Sequence, residues 1–250
     1  MRIEDFHVPT PPPGAAELPS SDGEPMETQR HVEQMHLLIG SLHDAWRARD
    51  DFFCGGDMFV YYSEPQAREA QRRGTTRFRG PDVFVVLDTD RRERPSWVAW
   101  EEGGKLPDVI IELTSPTTES IDRHDKMELY ARIWRTGAYF LYDPLTHRFE
   151  GYELDASERA YRPMEPLPSG DLPVVSLGLA LGVRELPCNH LPPPSLRWID
   201  AAGRPLPTGS ERALRAEEER DRAREERDRA EARARELEAE LGRAKKRRPR

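Results

Sequence analysis

The stretch "PDVIIELTSPTTE", residues 107–119, contains a contradiction whose resolution decides the fold. Its centre, Val109-Ile110-Ile111, has the β-branched, apolar character of a strand covered on both faces. Glu112 continues that run, although an ionised carboxylate is expensive to bury without a partner. About thirty residues upstream, "GPDVFVVLD" (80–88) repeats the puzzle, with Asp82 at the head of an equally apolar strand. Side chains alternate along a strand, so Asp82 shares a face with Phe84 and Val86, and Glu112 with Ile110 and Thr114. If the two strands are neighbours, the carboxylates converge at one edge of the sheet. Two carboxylates repel unless one takes up a proton or a cation joins them. A hard, oxygen-seeking ion such as Mg²⁺ resolves the conflict, with the Leu113 carbonyl as a further ligand.

From this pair the rest of the architecture reads outward. Val32, Met35, Leu38, Ile39, Leu42, Ala45 and Trp46 recur at helical spacing, which predicts an amphipathic helix over 27–49. Apolar β-type runs follow at 58–62, 82–87, 97–100 and 108–114. Ile121, Met127, Tyr130, Ala131 and Trp134 predict a second helix over about 121–135, with Gly137 as its stop signal. "AYFLYD" (138–143) and "RFEGYEL" (148–154) supply two more strands. The order predicts an α/β sandwich, a central mixed sheet flanked by helices. Lys126, early in the second helix, is the cation expected beside the carboxylates. On spacing alone each residue also has a plain reading: Asp82 as a turn residue, Glu112 as a sheet-edge ion pair, and Lys126 paired with Asp122 four residues before it. A second Pro-Asp, Pro107-Asp108, lies on the same strand as Glu112 but four residues away. That is about 13 Å, too far for both to share one ion.

Residues 1–26, rich in Pro, Ser, Glu and Gly, predict a disordered arm. The folded domain is expected over 27–187, with a proline-rich wrap and hairpin over 188–208, where "AAG" after "LRWID" reads as the turn. Residues 209–250 form a charged helix with a basic end, "KKRRPR". Within it "EERDRAR" and "EERDRAE" (218–231) repeat at seven residues, and Ala216, Ala223, Ala230 and Leu237 share a heptad position. Both a coiled-coil arm, pairing two copies of the chain, and a solitary helix held by Glu–Arg pairs at i,i+4 suit this pattern. The net charge of −8 is uneven: 209–250 carry 15 basic and 12 acidic residues, leaving 23 against 34 elsewhere. An acidic body argues against non-specific nucleic-acid binding, so any DNA-facing groove must be local. Two cysteines without CxxC spacing imply a reducing compartment, and no run approaches the ~20 apolar residues of a membrane span. The N-terminus lacks the layout of a signal peptide, so the expectation is a cytoplasmic protein without membrane contact.

The composite "FRGPDVFVV" (78–86) and "PDVIIELTSPTTESIDRHDKMELYARIWRTGAYFLYDP" (107–144) resembles the Uma-two family of endonucleases, within the PD-(D/E)XK nuclease superfamily. The likeness spans roughly residues 30–180. It implies a restriction-endonuclease-like fold and Mg²⁺-dependent phosphodiester hydrolysis, with Mn²⁺ as a possible substitute and DNA as the expected partner. By position it implies Asp82 as the motif aspartate, Glu112 as the motif acid, and Lys126 as the lysine displaced into the helix. The superfamily's usual lysine would stand two residues after the acid, where this chain has Thr114. The competing expectation is a catalytically idle nuclease fold that serves assembly through its helical tail.

Overall fold

The computed structural model describes residues 12–14, 17, 28–73, 80–115, 119–186 and 191–246, with side chains of the last helix described to 238. The expected N-terminal arm, Cys188 and the last four residues of the basic end lie outside these, apart from 12–14 and 17. The chain divides into a unit ending at Leu206 and one beginning at Pro207.

In the first unit, α1 (Gln29–Ala45) starts at Thr28, whose hydroxyl accepts the His31 N–H. Strands β1 (Phe52–Gly55), β3 (Val83–Leu87), β5 (Val109–Leu113), β6 (Ala138–Tyr142), β7 (Phe149–Asp155) and β8 (Ala160–Pro163) form one sheet in the order β1-β3-β5-β6-β7-β8. The sheet is mixed: β5 and β6 run parallel, joined across the helical segment α3 (119–134), and the other neighbours are antiparallel. Parallel neighbours need such a crossover.

Alternation gives the sheet two apolar faces. On one, Val83, Val85, Val109, Ile111, Leu113 and Phe140 pack beneath Met35, Leu38 and Leu42 of α1. A second antiparallel sheet, β9 (Leu172–Val174), β10 (Leu179–Arg184) and β11 (Ser195–Ile199), covers the same face through Leu181, Leu196 and Trp198. The Trp198 indole N–H donates to the Leu38 carbonyl, and Gln34 bonds both backbone groups of Leu196. On the other face, Phe84, Val86, Ile110, Tyr139 and Leu141 meet Tyr130 and Trp134 of α3. A short parallel pair, β2 (Val60–Tyr61) and β4 (Trp97–Val98), adjoins this side, and α2 (Glu64–Arg73) buries Ala67 and Ala70 against it.

Several boundaries differ from the sequence reading. The runs at 58–62 and 97–100 shorten to two-residue strands outside the main sheet, the second ending in a 3₁₀ turn (Ala99–Glu101). Residues 172–186 and 191–206 pack on the core largely as this three-stranded sheet, which begins earlier than the wrap expected over 188–208. Its "AAG" turn is present, with Ile199 bridging Pro205. In α3 the expected stripe buries Tyr130, Ala131 and Trp134, but Ile121 is exposed and Asp122 is buried instead.

In the second unit, α4 (Gly209–Lys246) opens on a reciprocal cap. The Thr208 hydroxyl accepts the Glu211 N–H, and the Glu211 carboxylate accepts the Thr208 N–H. Pairs Glu225–Arg229 and Glu218–Arg222 run along it in the orientation that suits the helix dipole.

Candidate active site

Register brings the two carboxylates together. Val83 stands opposite Ile111 across an antiparallel pair, so the next rung outward sets Asp82 beside Glu112. The Leu113 N–H donates to Asp82 Oδ2 at 2.6 Å, and the Asp82 N–H lies 3.4 Å from Glu112 Oε2. The N–H and C=O of a strand residue point to the same side, so the Leu113 carbonyl also faces Asp82. Two glycines permit this. A Cβ on Gly56 would collide with the Asp82 carbonyl, and one on Gly80 with the Met58 carbonyl. The loop after β1 and the approach to β3 therefore touch backbone to backbone, and the Asp57 N–H bonds the Pro81 carbonyl.

Helix α3 supplies the cation. Two of its turns, Asp122–Lys126 and Tyr130–Trp134, are π-helical. The α-helix takes 3.6 residues per turn and the i→i+5 turn is wider, so mixing them brings the period close to four. Asp122, Lys126, Tyr130 and Trp134 consequently keep to one line facing the sheet. Lys126 Nζ lies 2.9 Å from Glu112 Oε2 and 2.9 Å from Asp122 Oδ1, and the Tyr130 hydroxyl donates to Glu112 Oε1 at 2.8 Å. The Tyr139 hydroxyl, rising from β6, donates to the Asp122 carbonyl.

Three carboxyls thus face one ammonium in a place nearly closed to water. Glu112 is fully buried, Asp122 is buried, and Asp82 is half-buried. Burial pushes the Glu112 carboxyl up to about 8; Lys126 opposes that and Asp82 and Asp122 add to it. Asp82 is also raised, by burial first, against the pull of Lys126 and the Leu113 N–H. Burial alone would lower the Lys126 ammonium, but Glu112, Asp122 and Asp82 together raise it, so it stays charged.

The excess of negative charge and the hard oxygen donors suit a divalent ion such as Mg²⁺, which is commonly held by one or two carboxylates and otherwise by water. Among the described residues no group of three or more His, Cys, Asp or Glu could hold a metal ion. Asp108 stands apart: its Oδ2 accepts the Leu87 N–H at 2.7 Å, at the opposite end of β3. Thr114 lines a neighbouring cleft of about 430 Å³ with Leu141, Asp143, Thr146, Arg123 and Arg148. Arg123 forks onto both oxygens of Glu150 on β7 and fixes α3 across the sheet.

Asp82, Glu112 and Lys126 therefore lie together, with the Leu113 N–H on Asp82. Asp122 and Tyr130 were read only as a helix-surface pair and a core aromatic. Their four-residue spacing from Lys126 is the signal that carried more. A family model described as "Uma2: Putative restriction endonuclease" matches residues 3–189, more than half of the chain. No curated protein matches it.

Proposed function

Since the chain belongs to the Uma2 family of restriction endonucleases, we propose that it hydrolyses phosphodiester bonds in DNA with Mg²⁺, or Mn²⁺ in its place. The observation that carries this reading is the Lys126 ammonium lying on Glu112 while the same Glu112 oxygen meets the Asp82 N–H, within a surplus of carboxylates. Asp82, Glu112 and the Leu113 carbonyl would hold the metal. When bound, such an ion polarises the phosphodiester and makes hydroxide available from a coordinated water.

The chain's own residues do the rest. Asp82 is aimed by the Leu113 N–H, and Glu112 is held by Lys126. Lys126 brings positive charge toward the place where negative charge develops on the phosphate. Asp122 keeps that ammonium from swinging to solvent. Thr114 stands where the lysine is usually found, so Lys126 alone carries this part. The helix α4 is proposed to pair two copies of the chain through its Ala216, Ala223, Ala230 and Leu237 seam.

Nicking of supercoiled DNA with Mg²⁺ or Mn²⁺, together with Mn²⁺ binding, tests the proposal. Asp82→Asn, Glu112→Gln and Lys126→Ala should each abolish nicking, with melting temperature held or raised for the two acid variants. Relief of like charge among Asp82, Glu112 and Asp122 is the reason for the rise. Wild type that binds Mn²⁺ nowhere and cuts no nucleic acid would sink it. The second reading would then stand, an idle nuclease fold used in assembly, which the acidic body and Thr114 favour.

A further inference from the structure

We infer that Tyr130 is a positioning residue, whose hydroxyl fixes the Glu112 carboxylate in the orientation that the metal requires. The inference rests on the metal-dependent reading above and adds to it a residue which that reading leaves in the core.

The last torsion of a glutamate is broad and nearly two-fold, so one bond does not settle which oxygen faces which way. Glu112 is bonded at each oxygen: Oε2 by Lys126, with the Asp82 N–H farther off, and Oε1 by Tyr130. Oε2 is the oxygen turned toward the Asp82 backbone, and the Tyr130 bond keeps it there. The phenol is itself immobilised. Tyr130 is buried, with ring centroids 4.6 Å from Trp134 and 5.4 Å, edge-on, from Tyr139. Its hydroxyl therefore has little freedom to find another acceptor. Without it, Oε1 would lose its hydrogen-bond donor, and the carboxylate would be free to turn and share Lys126 between both oxygens. Such outer-shell bonds orient the ligand, and their loss typically weakens metal affinity about 10–100-fold.

A comparison of hydroxyl deletions tests this. Tyr161 stacks on Tyr139 and donates to the Thr136 carbonyl at 2.9 Å, away from Glu112. Mn²⁺ binding followed by electron paramagnetic resonance should weaken about tenfold or more in Tyr130→Phe, and stay at the wild-type value in Tyr161→Phe. Adding Tyr130→Phe to Glu112→Gln should cost no further affinity, because the carboxylate it orients is gone. A merely structural tyrosine would weaken binding by the same factor in both backgrounds, and that result overturns the inference. So does Tyr130→Phe binding Mn²⁺ as wild type does. Wild type without Mn²⁺ binding that Asp82→Asn removes would overturn the metal reading itself, and this inference with it. Melting temperatures without metal identify any variant that fails to fold, for which Tyr130→His, a shorter polar ring, repeats the comparison.

Discussion

Two aspartates follow prolines in this chain, and they do different work. Asp82 heads β3 beside Glu112, whereas Asp108 caps the far end of the same strand through the Leu87 N–H. Asp108→Ala should therefore leave Mn²⁺ binding and nicking intact while lowering stability by about 1–2 kcal/mol, the cost of a stranded backbone donor. Urea denaturation beside a nicking assay separates the two effects; loss of nicking with stability unchanged would exchange the roles assigned to the aspartates. Gly56 makes the opposite case. A Cβ there meets the Asp82 carbonyl, a backbone atom that cannot step aside without moving Asp82. Gly56→Ala should cost about 1–3 kcal/mol, as overpacking does, and should weaken Mn²⁺ binding as well. A variant destabilised but binding Mn²⁺ normally would show that the loop and Asp82 are not coupled.

At the scale of elements, α3 lies across the sheet because it is fastened at several points, and the Arg123–Glu150 fork is one that titrates. The Arg123 hydrogen bond is the main reason that the Glu150 carboxyl falls to about 2 from its ordinary 4.5. A carboxyl depressed in the folded state stabilises the fold fully above its unfolded value, and that contribution is lost as pH falls toward the folded one. Wild type should exceed Glu150→Gln by about 1–2 kcal/mol at pH 6, discounting for a side chain that is a quarter exposed, and the gap should close between pH 4.5 and 2. A gap independent of pH would assign the difference to packing. The same elements show what can be read from the chain and what cannot. Helix α1 and strands β3, β5, β6 and β7 are legible because their apolar periods are strong. Strand β1 is four residues ending on Gly55, and α2 buries only two alanines, so neither leaves a pattern. Asp82 and Glu112 are legible because charge in an apolar run demands a reason, and Lys126 through its place early in the next helix and the family resemblance. Tyr130 is not, since an aromatic on a helix face ordinarily means core, and Asp122 is hidden because a period near four is not the period expected of a helix. The Arg123–Glu150 contact joins residues 27 apart, which no local pattern reveals.

For the whole molecule, the division after Leu206 coincides with a local signal. The reciprocal bonds between Thr208 and Glu211 mean that α4 brings its own start. The first unit likewise closes on itself, since Leu206 belongs to its core and donates its N–H to Trp198. A chain ending at Leu206 should therefore melt as the full chain does and bind Mn²⁺ equally. What it should lose is mass in sedimentation. Helix α4 has 38 residues, about 57 Å at 1.5 Å each. From Ala213 its side chains are exposed along the described length, with Leu237 46% exposed in the proposed seam. Two such seams laid together would cover the alanines and Leu237 while leaving the Glu225–Arg229 and Glu218–Arg222 pairs outside. The seam is thin, because Arg220 and Arg227 occupy the companion heptad position and must keep their charges in water. Pairing should accordingly be weak and concentration-dependent, and Leu237→Glu in the full chain should reduce it as truncation does. Equilibrium sedimentation over a range of concentrations decides between the two uses of the helix. A full chain that stays monomeric at every loading would leave α4 as a solitary helix held by its own ion pairs, and the assembly function would have to be sought elsewhere on the molecule.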